Sequence, residues 1–195
     1  MRSSGLSESS PGQPVSDAPL RGPVVRMVPE GDNRERNVCT DCGFIHYLNP
    51  RIVVGAVVQY DEQVLLCRRA IPPRTGFWTL PAGYLETGET AAAGARREAE
   101  EEAGAVIAIE RPLGIYSLPR ISLIQLIFAA QLMDPDIAPG AESLEVRLFS
   151  WGEVPWDDLA FPSVRWALED WKHGRTTGTA AAAFGPFDRV DLTQG

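Results

Sequence analysis

Gly83-Tyr-Leu-Glu-Thr-Gly-Glu-Thr-Ala-Ala-Ala-Gly-Ala-Arg-Arg-Glu-Ala-Glu-Glu-Glu-Ala-Gly-Ala105 is the stretch whose reading decides the rest of the chain. Its front, Gly83 to Glu89, reads as a loop, because it holds Gly83, Thr87 and Gly88 and Pro81 precedes it. Its back, from about Thr90 to Ala103, reads as a helix built from Ala, Glu and Arg, all strong helix formers. Thr90 or Thr87 can cap its start, and Gly104 supplies a stop.

Helical spacing then sorts the side chains. Ala91, Ala95 and Ala99 fall four apart and make a narrow stripe that can lie close against a sheet. Glu98, Glu101 and Glu102 fall at i, i+3 and i+4, so their carboxylates share a face. Arg97 stands four before Glu101 and can pair with it. A charge run of this kind ordinarily means a solvated acidic face. Three close carboxylates raise one another's pKa, however, and a hard divalent cation with oxygen ligands removes that cost.

The wider spacing separates the two readings. Gly83, five residues, Glu89, seven residues, then Arg97-Glu98-Ala99-Glu100-Glu101-Glu102-Ala103-Gly104-Ala105 resembles the Nudix box at each of its fixed positions. The apolar positions hold Ala99 and Ala105, where bulkier residues are commoner in that family. The resemblance implies an α/β/α sandwich with a central mixed sheet, and a hydrolase of nucleoside diphosphates linked to another group. It implies Mg²⁺ or Mn²⁺ held by Glu98, Glu101 and Glu102, with the Gly83 carbonyl as a further ligand. Arg97 would orient Glu89 and Glu101 behind them.

Other stretches resemble a subgroup. Cys39-x-x-Cys42-Gly43, Tyr47-x-Asn49-Pro50, the run Val64 to Arg69, the phrase Gly76 to Glu86 and the segment Pro139 to Glu145 look like plant FAD pyrophosphatases and their bacterial relatives. Members of that group split FAD or ADP-ribose at the diphosphate, giving AMP plus FMN or ribose 5-phosphate. NADH pyrophosphatases also carry a zinc ribbon, but their S-Q-P-W-P-F-P segment is missing here. The alternatives carried forward are an NADH pyrophosphatase activity and a Nudix-fold regulator that binds a nucleotide without cutting it. A homodimer is the assembly the resemblance implies.

Composition narrows the class. The chain has 195 residues, 44% of them hydrophobic and 23% charged, as expected of one globular domain with extensions. A net charge of −8 argues against a general nucleic-acid binder but not against a phosphorylated small molecule, since bound cations reverse the local sign. The longest apolar run, Ile52 to Val58, is far short of a membrane span. There is no signal pattern, and three cysteines form no paired framework, so the cytoplasm is the expected compartment.

Along the chain, residues 1–22 read as a disordered arm rich in Ser, Pro and Gly. Residues 23–48 read as a hairpin followed by the Cys39-x-x-Cys42-Gly43 knuckle, half of a zinc ribbon. A structural zinc wants four ligands, and residues 16–22 contain no cysteine. The knuckle is therefore expected to stand without metal, or else to hold a zinc completed by His46 and another chain or solvent. Residues 49–173 form the expected hydrolase domain, and 174–195 a loosely held tail. Cys67 reads as a buried small hydrophobe. Arg68 and Arg69, at a strand end, suit phosphate contact, and Trp78 reads as core before ligand platform. Glu142 and Glu145, at the end of a loop, are the candidate general bases.

Overall fold

The computed structural model describes residues 22–177 and the backbone of 183–184; the expected N-terminal arm and most of the expected tail lie outside these residues. The chain divides into two compact units, Met1–Leu48 and Asn49–Gly195.

In the first unit, β1 (Val25–Met27), β2 (Arg36–Val38) and β3 (Ile45–His46) form a three-stranded antiparallel sheet in the order β1-β2-β3. Asp32 sits in the turn between β1 and β2, accepting from the Asn33 and Arg34 N–H groups and from Arg36 Nε at 2.9 Å. These donors, the Arg36 side chain foremost, hold its carboxyl below the usual carboxylate range. The Cys39 knuckle joins β2 to β3. Gly43 donates to the Cys39 carbonyl and Cys39 to the Phe44 carbonyl, both at 2.9 Å.

The second unit contains β4 (Arg51–Tyr60), β5 (Gln63–Arg69), β6 (Trp78–Thr79), β7 (Ala82–Tyr84), α1 (Ala91–Ala103), β8 (Ile107–Leu118), β9 (Leu123–Leu132), β10 (Ser143–Ser150), α2 (Pro162–Thr177) and the two-residue β11 (Ala183–Phe184). The main sheet runs β10-β5-β4-β9-β8-β11, with β6 added to β5 and β7 to β4. It is mixed: β4 pairs with β9 in parallel, and β8 with β9 antiparallel.

Period-two alternation assigns the strand residues to two faces. Val54, Ala56 and Val58 of β4, with Leu65, Cys67, Phe128 and Ala130, pack on the Ala95–Ala99–Ala103 stripe of α1. Val57, Val64, Leu66, Ile127 and Ala129 face the other way, against Val164, Ala167, Leu168 and Trp171 of α2. One helix on each face is the expected α/β/α sandwich. Residues Ala95, Ala99 and Ala103 have no exposed surface, so α1 lies close against the sheet and its polar edge is set at a fixed height above it.

Several local expectations are refined. Thr90 is the cap of α1: its Oγ1 accepts from Ala93 N at 3.2 Å, and Gly104 ends the helix in the left-handed conformation at φ 60°. Helix α2 begins at Pro162 and runs through Gly174 to Thr177, past the expected domain end, and in this last turn Arg175 lies 5.1 Å over the Trp171 ring and donates to Glu62 at 2.8 Å. No helix among the described residues is long and apolar enough to cross a membrane.

Candidate active site

The acids of α1 are gathered by one guanidinium. Arg97 donates from Nε and Nη2 to the two oxygens of Glu89 at 3.2 and 2.7 Å. Its Nη1 is shared between Glu98 Oε1 at 2.7 Å and Glu101 Oε2 at 3.0 Å, and Nη2 also reaches the Tyr84 carbonyl at 3.0 Å. The sequence pattern implied the pairs with Glu89 and Glu101; the pair with Glu98 is added by the fold. Hydrogen bonding to Arg97 holds Glu89 low, and the acids, Glu89 first, raise the pKa of Arg97 further above its already high value.

Burial then separates the three glutamates. Glu98 and Glu102 are 8% and 7% exposed, whereas Glu101 stands in solvent. Loss of water raises Glu98 despite the adjacent Arg97. Glu102 is pushed up to about 7, again chiefly by burial, although Ala82 N–H donates to its Oε2 at 3.1 Å. Gly83 crosses directly over Glu98: a side chain at that position would overlap the Glu98 carboxylate. Strand β7 brings Gly83 there by pairing opposite Val54 of β4.

A fourth carboxylate arrives from the loop between β9 and β10. Ala138 N–H donates to the Ala103 carbonyl at 3.0 Å and Gly140 N–H to the Glu102 carbonyl at 3.1 Å, so the loop satisfies the last carbonyls of α1. Gly140 lies so near the Glu101 carbonyl that any side chain would collide with it. Two residues on, the Glu142 carbonyl accepts from Ala70 N at 2.8 Å. Glu142 faces the acid cluster, and its charge further disfavours ionisation of Glu98 and Glu102.

These groups line a cleft of about 920 Å³, at the upper end of the range for ligand pockets. Glu98, Glu101, Glu102, Glu142 and Gly83 lie on its acidic side. Arg69, Phe161 and Ser163 also line it, as do Arg51, Tyr84 and Ile121, and the Arg69 charge is near enough to Glu102 to favour its ionised form against burial.

The structure divides the paired sequence candidates. Arg69 lines the cleft; Arg68 does not, donating instead from Nε to the Gly76 carbonyl at 2.9 Å. Glu142 lines the cleft; Glu145 lies outside it, 3.7 Å from Arg68 Nη1 on the β10–β5 pair. Trp78 is core: it is 9% exposed and packs edge-on to Phe149 at 4.9 Å. The reason is strand parity. Arg68 and Glu145 are cross-strand neighbours and pair with each other, while Arg69 comes at the end of β5, where the chain turns away. Sequence reasoning missed Ser163 altogether; no motif marks it.

The donor set bears on metal. Among the described residues no three His, Cys, Asp or Glu side chains are already drawn into a coordination cluster; Glu98 and Glu101 are turned to Arg97. The chemistry of the α1 set nonetheless fits a hard divalent cation, since every donor is oxygen and Glu98 and Glu102 are held nearly dry, with Arg97 paired to Glu98 and the Ala82 N–H to Glu102. The knuckle offers two thiols, where a structural zinc takes four ligands. Cys39 is buried and Cys42 exposed, the backbone N–H groups of Cys42 and Asp41 draw the Cys39 thiol pKa down, and the third cysteine, Cys67, sits in the other unit's core. Burial pushes the Cys67 thiol up, as suits an inert core residue.

Comparison with known proteins gives the same outline. Residues 49–169 match the family model described as the NUDIX domain, and residues 22–48 the one described as Nudix N-terminal, a zinc-ribbon model. A crystal structure of a NUDIX hydrolase from Nitrosomonas europaea is 45% identical, with a TM-score of 0.79 over 83% of this chain and 92% of that one. An ADP-ribose pyrophosphatase of Methanocaldococcus jannaschii is 30% identical over 66% of this chain and 78% of its own length. The NAD-capped RNA hydrolase NudC of Photobacterium profundum is 32% identical over 61% of this chain, but the match spans only 44% of NudC.

Proposed function

The chain belongs to the Nudix hydrolase family, and we propose that its cleft hydrolyses the diphosphate of a nucleoside diphosphate derivative, ADP-ribose or FAD, releasing AMP with ribose 5-phosphate or FMN. The observation that carries this reading is the convergence of Glu98, Glu102 and Glu142, from two separate elements, in one cleft beneath Gly83. A solvated acidic face has no reason to bury two of its carboxylates or to be joined by an acid from a distant loop. The similarity to an ADP-ribose pyrophosphatase supports ADP-ribose, and the subgroup motifs support FAD. The likeness to NudC keeps an NAD-like dinucleotide as the alternative substrate class.

Glu98, Glu101, Glu102 and the Gly83 carbonyl are the residues that would hold Mg²⁺ or Mn²⁺. A divalent cation there supplies charge to the diphosphate and acidity to an attacking water. The protein's own work is positional. Arg97 holds Glu98 and Glu101 in fixed orientation while Glu89 anchors Arg97 from behind. Glu142 is placed to take a proton from water in the cleft, and the loop that carries it is tied through Ala138 and Gly140 to the same helix that carries the other acids. Arg69 contributes a cation on the wall for the phosphate oxygens. Subunit pairing into a homodimer is part of the same proposal and is checked by light scattering.

One assay decides among the substrates. The protein is incubated with ADP-ribose, FAD and NADH, each with Mg²⁺ or Mn²⁺, and AMP is followed by chromatography. AMP from ADP-ribose or FAD is the expected result. Binding of all three without AMP release would return the chain to the regulator reading.

A further inference from the structure

The start of α2 has a feature that the acid cluster does not use. The helix is preceded by Phe161, which carries no side-chain oxygen to cap it, and opens with Pro162, which has no N–H. Ser163 is thus the first residue of the helix with an N–H to offer, while the next, Val164, already donates to the Phe161 carbonyl at 3.1 Å. Ser163 is 2% exposed, and its Oγ is the one buried side-chain polar atom among the described residues with no hydrogen-bond partner. A buried hydroxyl left unpaired has lost its water without a replacement partner, which is destabilising. Ser163 and Phe161 both line the cleft.

Arg69 stands beside them. Its Nε is tied to the Pro73 carbonyl at 2.8 Å, and its guanidinium lies 5.2 Å over the Phe161 ring. The guanidinium is therefore fixed next to the residue from which α2 departs. A guanidinium, a helix start and a hydroxyl together offer donors and positive potential. A neutral ring would leave that potential unused, and a cation would be repelled. A phosphate oxygen satisfies all three.

We propose that the start of α2, through Ser163 together with Arg69, is a subsite for a phosphate oxygen of the substrate. It rests on the diphosphate reading above and adds a division of labour. One phosphate is engaged from the side of Glu98 and Glu102, and the other is taken by α2 and Arg69. The competing explanation for the lone Ser163 hydroxyl is a trapped water, which would be indifferent to substrate.

The test uses the full chain without added metal and inorganic phosphate as the probe. Amide resonances of Ser163 and Val164 are expected to shift saturably with phosphate, and Ser163→Ala to weaken that binding about tenfold, the loss of one hydrogen bond to a charged group. In the metal-loaded protein, Ser163→Ala is expected to raise KM for ADP-ribose about tenfold with kcat within about twofold. Its melting temperature should be unchanged or higher, since an unpaired hydroxyl has been removed. Phosphate that leaves these resonances in place, or a Ser163→Ala variant that binds phosphate as tightly as the parent, overturns the proposal. A parent that binds phosphate here, with the Ser163 dependence, yet releases no AMP from ADP-ribose or FAD would end the substrate reading and leave the subsite standing.

Discussion

Two places in this chain offer metal ligands at short spacing, and they have met different fates. The knuckle presents Cys39 and Cys42; helix α1 presents Glu98, Glu101 and Glu102. Around the glutamates, other parts of the chain have closed in. Strand β7 brings Gly83 and the Ala82 N–H, the β9–β10 loop brings Glu142, and Arg97 ties the acids to Glu89. Around the buried thiol of Cys39 lie the knuckle's own backbone and its small sheet. Ligand residues at the right spacing make half a site. The other half is whatever the fold delivers from far along the chain.

The sharpest way to break this comparison is at Glu102. Glu102→Gln keeps an oxygen for the Ala82 N–H but removes the charge. Turnover of ADP-ribose is expected to fall about a thousandfold or more, read from AMP release. The same variant carries a stability signature with a definite sign. In the metal-free fold Glu102 titrates at about 7, above the usual 4.5. Between those values the folded state binds more protons than the unfolded one, so this group's contribution falls as pH rises and is fully unfavourable above about 7. Glu102→Gln is thus expected to stabilise the metal-free protein at pH 8, on the order of 2–3 kcal/mol, and to leave stability at pH 4 unchanged. Denaturant titration at both pH values checks it; a variant less stable at pH 8 would show that Glu102 is not a buried, strained acid.

Next in size is the latch between the loop and α1. Gly140→Ala forces the loop off the Glu101 carbonyl and is expected to lower kcat about a hundredfold, as a displacement near 1 Å can do. In a Glu142→Gln background the same substitution should do little more. If the two losses simply multiply, Gly140 does not act through Glu142.

Arg97→Gln comes third and is read in stability. It leaves Glu89, Glu98 and Glu101 without their shared partner, and with Glu98 nearly dry the cost is expected at about 2–4 kcal/mol by denaturant titration at neutral pH.

The smallest effect belongs to the knuckle. Cys42→Ser is expected to leave AMP release within about twofold of the parent, and elemental analysis of the purified chain to find well under one zinc per molecule. One tightly held zinc per chain would mean that the comparison drawn here is mistaken and that the knuckle is completed by ligands from elsewhere.

Much of the fold was legible before any coordinates. The Ala stripe announced a helix lying close to a sheet, Thr90 and Gly104 announced its ends, and both follow from local chemistry. The acids of α1 were legible for the same reason, since helical spacing places Glu98, Glu101 and Glu102 together. What stayed hidden involves partners distant in sequence. Nothing at Arg68 or Arg69 says which one turns into the cleft, and Glu142 and Glu145 look alike until β10 pairs with β5 and gives Glu145 to Arg68. Trp78 reads as core before platform, and the structure gives it Phe149 as its core partner.

The sequence by itself determined the chemistry that could be offered: a capped helix with three acids on one face, an arginine spaced to restrain them, and glycines where the backbone must pass close. Local spacing suffices because a helix is a rigid ruler, with its geometry set by bonds between near neighbours. Only the tertiary structure decided which carboxylates would be dry, which loop acid would join them, and which hydroxyl at the start of α2 would be left without a partner. Burial and long-range approach depend on how sheet and helices stack, and no residue carries that information in its own identity.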